Sequence, residues 1–431
     1  MAAWTNWILT LILAGVCTTL IGRAMIFREK LFELPFLIGA ISFVFILPQL
    51  PGLVADRYLP AEAYTKALVF TILCLLACWV GWTSSRTQFK SLSWHLDEPT
   101  LVIGAAVMSV VGSFFYYQLS QQRGELQVGA GTTGLPVMQI FFSRLLVYGL
   151  GIAVLCFARR PSLPSAGIIC FDALFYLHRI VITGKRGEAF EFVILIVLAF
   201  WFQRRRILLP RTAVLAGLLL GTLAMGSVGD YRDITRNERQ LSTSSIGEIR
   251  LLENFEKGLE RGGMEMRNAI YLINHADNTM QFDYGLFHWN VLVFNFIPAQ
   301  IVGKNLKNSL IVHMTELEDR NYNPWFGTTE TGMSDAFVSF WYFGFVKFLV
   351  IAYVLARMYR TAMSGGLAAQ LIYMFSVTPA THTISHHTQW IFSAWLDMAL
   401  FLLPLLLLAR RRHATRTAAG GRRPPIWSPG H

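Results

Sequence analysis

The sequence predicts an all-α, polytopic membrane protein with eleven transmembrane helices and one long outward-facing loop. Three observations predict it. Apolar residues fill 54% of 431 positions and charged residues only 15%, against roughly 25% charged in a soluble domain. Apolar runs of about 20 residues recur, each long enough to cross a hydrocarbon core of about 30 Å. Between two sets of such runs lies a single long polar stretch, 229–334. The net charge of +11 does not mark nucleic-acid binding, because the cations sit in breaks between spans rather than along one soluble face. Basic loops on one side of a membrane account for it. Cys17, Cys74, Cys78, Cys156 and Cys170 all fall inside apolar runs. That fits neither a disulfide framework nor a thiolate metal site, and no metal or cofactor is expected.

Taken in order, span one covers 5–23. It lacks a basic leader and a small-residue cleavage site, so it reads as an anchor. Span two (31–50) has Pro35 near its start, where a helix tolerates proline. A short loop with Asp56, Arg57 and Glu62 precedes span three (66–82), and Arg86 and Lys90 precede span four (100–119). The loop 120–135 holds Gly129, Gly131 and Gly134. It could cradle phosphate, but without a Walker lysine it fits a plain surface turn better. Span five (136–157) contains Arg144. Span six (165–183) contains Asp172 and ends near Arg179. The tight turn 184–188 leads into span seven (189–202), and span eight (208–228) closes the first membrane region, 1–228.

Lysine and arginine on alternate connections set the orientation. Arg23, Arg28, Lys30, Arg86, Lys90, Arg159, Arg160, Arg204, Arg205, Arg206, Arg211, Arg357, Arg360 and the tail from Arg410 all fall on one side. That side is cytoplasmic by the positive-inside rule. The N-terminus is then outside and the C-terminus inside, and residues 229–334 face outward. Within that loop Ile249, Leu252, Phe255 and Leu259 recur at helical spacing. Met266, Ile270 and Ile273 do so after Gly262-Gly263. Two amphipathic helices lying on the membrane surface are expected. Residues 286–302 are apolar but interrupted by His288, Asn290, Asn295 and Pro298, which suits a re-entrant or interfacial segment. The second membrane region, 335–409, carries span nine (335–357), span ten (367–379), an outer turn with His382, His386 and His387, and span eleven (390–408). The basic tail 410–431 reads as a disordered cytoplasmic end.

Ionisable groups inside spans are expensive in lipid and face a protein interior or a wet cavity. Arg144, Asp172, Lys347 and Asp397 are such groups. Either Arg144 or Arg179 pairs with Asp397, or the arginines line an outward-opening cavity. Lys347 snorkels or pairs with Asp172. In the turn 184–188, Lys185, Arg186 and Glu188 sit between apolar spans. They fit an interface anchor, but outward arginine also offers a planar fork for phosphate oxygens. Arg232, Arg236 and Arg239 would share one face of a helix, as a solvated face or as an anion-binding one. With Arg320 they suit an acidic amphiphile such as a polyprenyl diphosphate. Glycosyl transfer from such a donor needs cations for the departing diphosphate and a base for the acceptor hydroxyl. The base is ranked Glu330, then His386 and His387, then Asp335.

Residues 183–192 (TGKRGEAFEF) and 326–345 (FGTTETGMSDAFVSFWYFGF) resemble the Wzy-type oligosaccharide repeat-unit polymerases of bacterial surface polysaccharide pathways. The long outer loop followed by a few spans resembles them too, although no paired Arg/Gly repeats in two outer loops are found. The resemblance implies a glycosyltransferase class C-like membrane fold. It implies transfer of an undecaprenyl-diphosphate-linked oligosaccharide, with an inverting, metal-independent mechanism at the outer face of the inner membrane. Membrane lipid, a chain-length regulator and a flippase are the implied partners. Arg186, Glu188, Glu330 and Asp335 carry over by motif position. Substrate-binding roles for Lys185, Arg144, Arg179, Arg232, Arg236, Arg239 and Arg320 follow from location. An O-antigen-ligase-like transferase and a transporter of polysaccharide or lipid-linked sugar remain as alternatives.

Overall fold

The computed structural model describes residues 2–54, 56–92, 94–121, 135–183, 186–227, 230–231, 249–312 and 329–410. It is an all-α membrane protein. Among the described residues there is no β-strand, only an isolated bridge between Leu96 and Arg410. Seven stretches there are helical, long and apolar enough to cross a membrane. They include α1 (Ala2–Ile26), α3 (Ala61–Ser84), α4 (Glu98–Gln121), α5 (Leu135–Arg159) and α6 (Leu163–Thr183). The others are the stretch Gly332–Met363 and the last helix, α16 (Gln389–Ala409).

The other four expected spans differ for identifiable reasons. α2 (Leu34–Gln49) is short and irregular, with a π-helical turn at Ser42–Ile46. α7 (Arg186–Arg204) is full-length but carries Glu188 and Glu191. α8 (Arg211–Ala224) spans only about 21 Å at 1.5 Å per residue. α15 (Leu367–Ser385) is rich in Ser, Thr and His and is buried along nearly its whole length. A helix shielded by its neighbours need not be apolar enough to face lipid. α15 also runs straight through Pro379 to Ser385. The expected outer turn from 381 therefore shrinks to His386–Thr388, and His382 belongs to the helix.

Hydrogen bonds sort the connections into two ends. Arg211 Nη2 donates to Ile26 O (2.9 Å), Arg204 Nε to Ala158 O (2.7 Å) and Arg360 Nη2 to Trp82 O (3.3 Å). Arg205 reaches Met363 O, and Asp97 N–H donates to Ala409 O at 2.7 Å. These gather the basic breaks at one end. At the other, Thr65 Oγ1 donates to Asn6 Oδ1 (2.8 Å), and Lys66 pairs with Asp277 at 2.5 Å.

Among the described residues that second end is capped by α9 (Leu251–Arg261), α10 (Met264–Thr279), α11 (Leu286–Phe296) and α12 (Lys304–Leu310), with one helical turn at Ala299–Val302 between the last two. The predicted amphipathic pair is present, and it breaks at Gly262, whose φ of +72° favours glycine. α10 does not lie on lipid as expected. Met266, Ile270 and Ile273 are buried in the protein core, and Gln49 Oε1 accepts the Met266 N–H at 3.0 Å. Arg267 is paired with Asp56. α11 has 11 residues, about 16 Å long, and cannot cross a membrane alone.

Candidate functional site

The site forms where the expected span 335–357 fails to be one helix. α13 (Gly332–Phe340) ends at Trp341, a non-glycine residue at φ 52° and ψ −144°. α14 (Phe345–Met363) starts after one 3₁₀ turn. Asp335 and Lys347 are twelve positions apart, which would place them about 18 Å apart along a continuous helix. Instead Lys347 Nζ lies 3.4 Å from Asp335 Oδ1 and donates to Ser339 Oγ at 2.8 Å. The chain folds α13 back against the start of α14. Gly344 permits this: a Cβ there would lie 2.0 Å from Ala336 O. Lys347 thus pairs with Asp335 and not with Asp172, the pairing that was one of its two expected alternatives. Asp172 accepts from Ser109 Oγ at 2.8 Å.

The start of α13 is wedged against the α15–α16 turn. A Cβ on Gly332 would meet Thr383 O at 1.9 Å. Thr329 Oγ1 donates to Ser385 O at 3.2 Å. Asp335 accepts the Thr388 backbone N–H at Oδ2 and the Thr388 hydroxyl at Oδ1, the latter at 2.8 Å. An anion at the first turn of α16 is favourable. With Lys347 as well, both carboxylate oxygens are occupied. Asp335, expected among the catalytic groups, is thus held by Thr388 and Lys347. His288, at the start of α11, places Nε2 2.8 Å from Thr388 Oγ1 and 3.4 Å from Lys347 Nζ. His387 Nδ1 stands 3.9 Å from Asp335 Oδ2.

Glu330 lies just before α13. Burial, reinforced by the nearby Asp335 charge, raises its carboxyl to about 7. Burial pushes His387 down to about 4, so that it is neutral at pH 7. His386 receives or donates a 2.8 Å bond with Ser385 Oγ and meets His382 and Trp390 edge to face, at ring separations of 5.2 and 5.7 Å. Gly187 lies against this cluster: a Cβ on it would be 3.0 Å from His382 Nε2. The two stretches that carry the family resemblance, about 140 residues apart in sequence, therefore each lie against the C-terminal turns of α15.

The nominated cations divide into two groups. Arg144 Nη1 pairs with Asp397 at 2.6 Å, one of the pairings expected. Arg179 pairs with Glu188. Their charges, and that of Glu188, are compensated by ion pairs within the protein. Lys185, Arg232, Arg236, Arg239 and Arg320 lie outside the described residues. Arg186 opens α7, and only its backbone is described.

Sequence reasoning missed His288 and Thr388 as members of the site. His288 left a trace as a polar interruption of an apolar run. Thr388 left none, since a threonine before a helix is common. No protein-family model, curated protein or solved structure matches the chain.

Proposed function

We propose that the chain is a polymerase of undecaprenyl-diphosphate-linked oligosaccharide repeats in surface polysaccharide biosynthesis. In this reading it is an inverting glycosyltransferase of class C-like architecture in the bacterial inner membrane. Adding α2, α7, α8 and α15 to the seven long apolar stretches brings the crossings to eleven. The basic end is cytoplasmic, and the site opens to the periplasm.

The observation that carries the reading is Glu330. It is a carboxyl titrating near neutral pH, in one of the two stretches resembling Wzy-type polymerases, both of which lie against the C-terminal turns of α15. A general base works best when its pKa lies near the operating pH. Glu330 takes the proton of the acceptor hydroxyl as that oxygen bonds to the anomeric carbon. The bond from that carbon to the diphosphate breaks, and the lipid diphosphate departs. One displacement inverts the anomeric centre. Arg186, Arg232, Arg236, Arg239 and Arg320, with Lys185, compensate the charge of the leaving group.

A second reading, transport of lipid-linked sugar, is favoured by the break between α13 and α14. Half-helices ending near mid-membrane are a device of transporters. A deletion strain separates the two. Accumulation of single lipid-linked repeats at the outer face, with loss of long chains, is the expected result. Repeats trapped on the cytoplasmic side would replace the polymerase with a transporter. Long lipid-linked chains that fail to reach their final acceptor would mark a ligase.

A further inference from the structure

Four buried polar atoms that have no hydrogen-bond partner among the described residues lie on residues beside Thr388 in the chain or in space. They are His288 Nδ1, His387 Nδ1, Thr331 Oγ1 and Gln389 Oε1. His387 and Gln389 flank Thr388 in the chain, and His288 is bonded to its hydroxyl. Gly332, next to Thr331, lies so close that an added Cβ would be 3.3 Å from Thr388 N. Buried polar atoms left unpaired are rare in folded proteins, and four around one residue call for a ligand that pairs them.

The protons of the network define what that ligand meets. Thr388 has one hydroxyl proton, and Asp335 Oδ1 accepts it. The Thr388 hydroxyl oxygen must then accept from His288 Nε2–H. A neutral imidazole protonated at Nε2 carries its lone pair at Nδ1. The Lys347 ammonium, 3.4 Å from Nε2, opposes a second proton on the ring. His288 thus presents a fixed acceptor. Among the described residues the one cation bonded into this cluster is Lys347, already held by Asp335 and Ser339. With Asp335 and Glu330 nearby, the cluster repels phosphate. Hydroxyl groups suit it, donating to the lone pairs and accepting from Thr331. Phe287 beside His387 and Phe392 beside His288, at ring separations of 5.2 and 5.8 Å, add apolar faces for a sugar ring.

We propose that the cluster around Thr388 is a hydroxyl-recognising subsite for a neutral sugar residue, and that the diphosphate binds elsewhere. The assignment rests on the glycosyl-transfer reading above, of which it names the sugar subsite. His288 is its central ligand; Thr388, Asp335 and Lys347 position the ring.

The test uses the full-length protein in lipid nanodiscs and two probes. One is the oligosaccharide released by mild acid from the source strain's own surface polysaccharide; the other is undecaprenyl diphosphate. His288→Gln puts an amide where Nε2 lies, keeping the bond to Thr388 but not the Nδ1 acceptor. His288→Asn puts an amide oxygen near Nδ1 and loses the Thr388 bond. The expected result is that His288→Gln weakens oligosaccharide binding at least about tenfold, which is about 1.4 kcal/mol. It leaves undecaprenyl diphosphate binding and thermal unfolding unchanged. His288→Asn unfolds earlier but binds the sugar more tightly than His288→Gln. In histidine-labelled protein, the sugar shifts the His288 Nδ1 nitrogen resonance.

Equal sugar binding by wild type and His288→Gln overturns the proposal. So does loss of diphosphate binding, or an Nδ1 resonance that sugar leaves unmoved, which would mean the atoms are paired by water only. Failure of the enzyme reading looks different. If Glu330→Gln still polymerises while His288→Gln loses the sugar, the base is wrong and the subsite stands.

Discussion

Replacing Asp335 by alanine removes the acceptor for the Thr388 N–H, the Thr388 hydroxyl and the Lys347 ammonium at once. Hydrogen bonds to a charged group are worth about 1.5–3 kcal/mol each. The larger effect is electrostatic. Lys347 has a side chain only 11% exposed, and removing one partner of a buried pair costs about 3–5 kcal/mol because the other charge is stranded. Asp335→Ala should therefore destabilise the protein by about 3–5 kcal/mol. Lys347→Met alone should cost less, since Thr388 still satisfies the carboxylate. The double variant should recover about 2 kcal/mol of the sum of the single losses, because neither charge is left behind. Reversible unfolding of the purified protein in mixed micelles, followed by tryptophan fluorescence, measures all four corners of the cycle. Single losses that add to within about 0.5 kcal/mol of the double would refute the claim that this pair braces the site.

Glu330→Gln should abolish polymer formation, and wild-type activity should fall about tenfold per pH unit below about 7 as Glu330 takes up its proton. Stability should run the other way: the raised folded-state value stabilises fully below about 4.5 and loses that contribution as pH rises through about 7, a dependence that melting curves of Glu330→Gln should lack. Gly332→Ala would set a Cβ 1.9 Å from Thr383 O, so yield and monodispersity on size exclusion should drop while Gly15→Ala, with open space around it, behaves as wild type. Exchanging Arg179 and Glu188 should preserve more folded protein than either single charge reversal, and equal yields of all three would show that the pair contributes nothing. Reporter fusions at Arg206 and Arg250 should report opposite faces of the membrane; a cytoplasmic signal at Arg250 would invert the proposed orientation.

Much of the fold was legible because lipid constrains sequence so strongly. Length and apolarity identified α1, α3, α4, α5, α6 and α16, and basic residues marked one end of the body. Legibility failed where protein rather than lipid surrounds a helix. α15 is buried by its neighbours and needs no apolar surface, so its end was placed six residues early, at Pro379. The break at Trp341 was invisible because the residues on both sides of it, 335–357, form one apolar run. For the site, Glu330, Asp335, His386 and Glu188 stood out as polar groups near the ends of apolar runs. Their roles did not: Asp335 differs from a free base only through partners 12 and 53 positions away.

The sequence by itself determined that this chain is helical, lies in a membrane and carries its basic connections on alternate breaks. Those properties depend on local composition and period, summed along the chain. Only the tertiary structure decided which charges pair, that α13 folds back on α14, and that His288 and Thr388 join Asp335 and Lys347. The reason is distance. Pairing energies act over a few ångströms between residues that the chain separates by tens to hundreds of positions, and nothing in local pattern records which of them will meet.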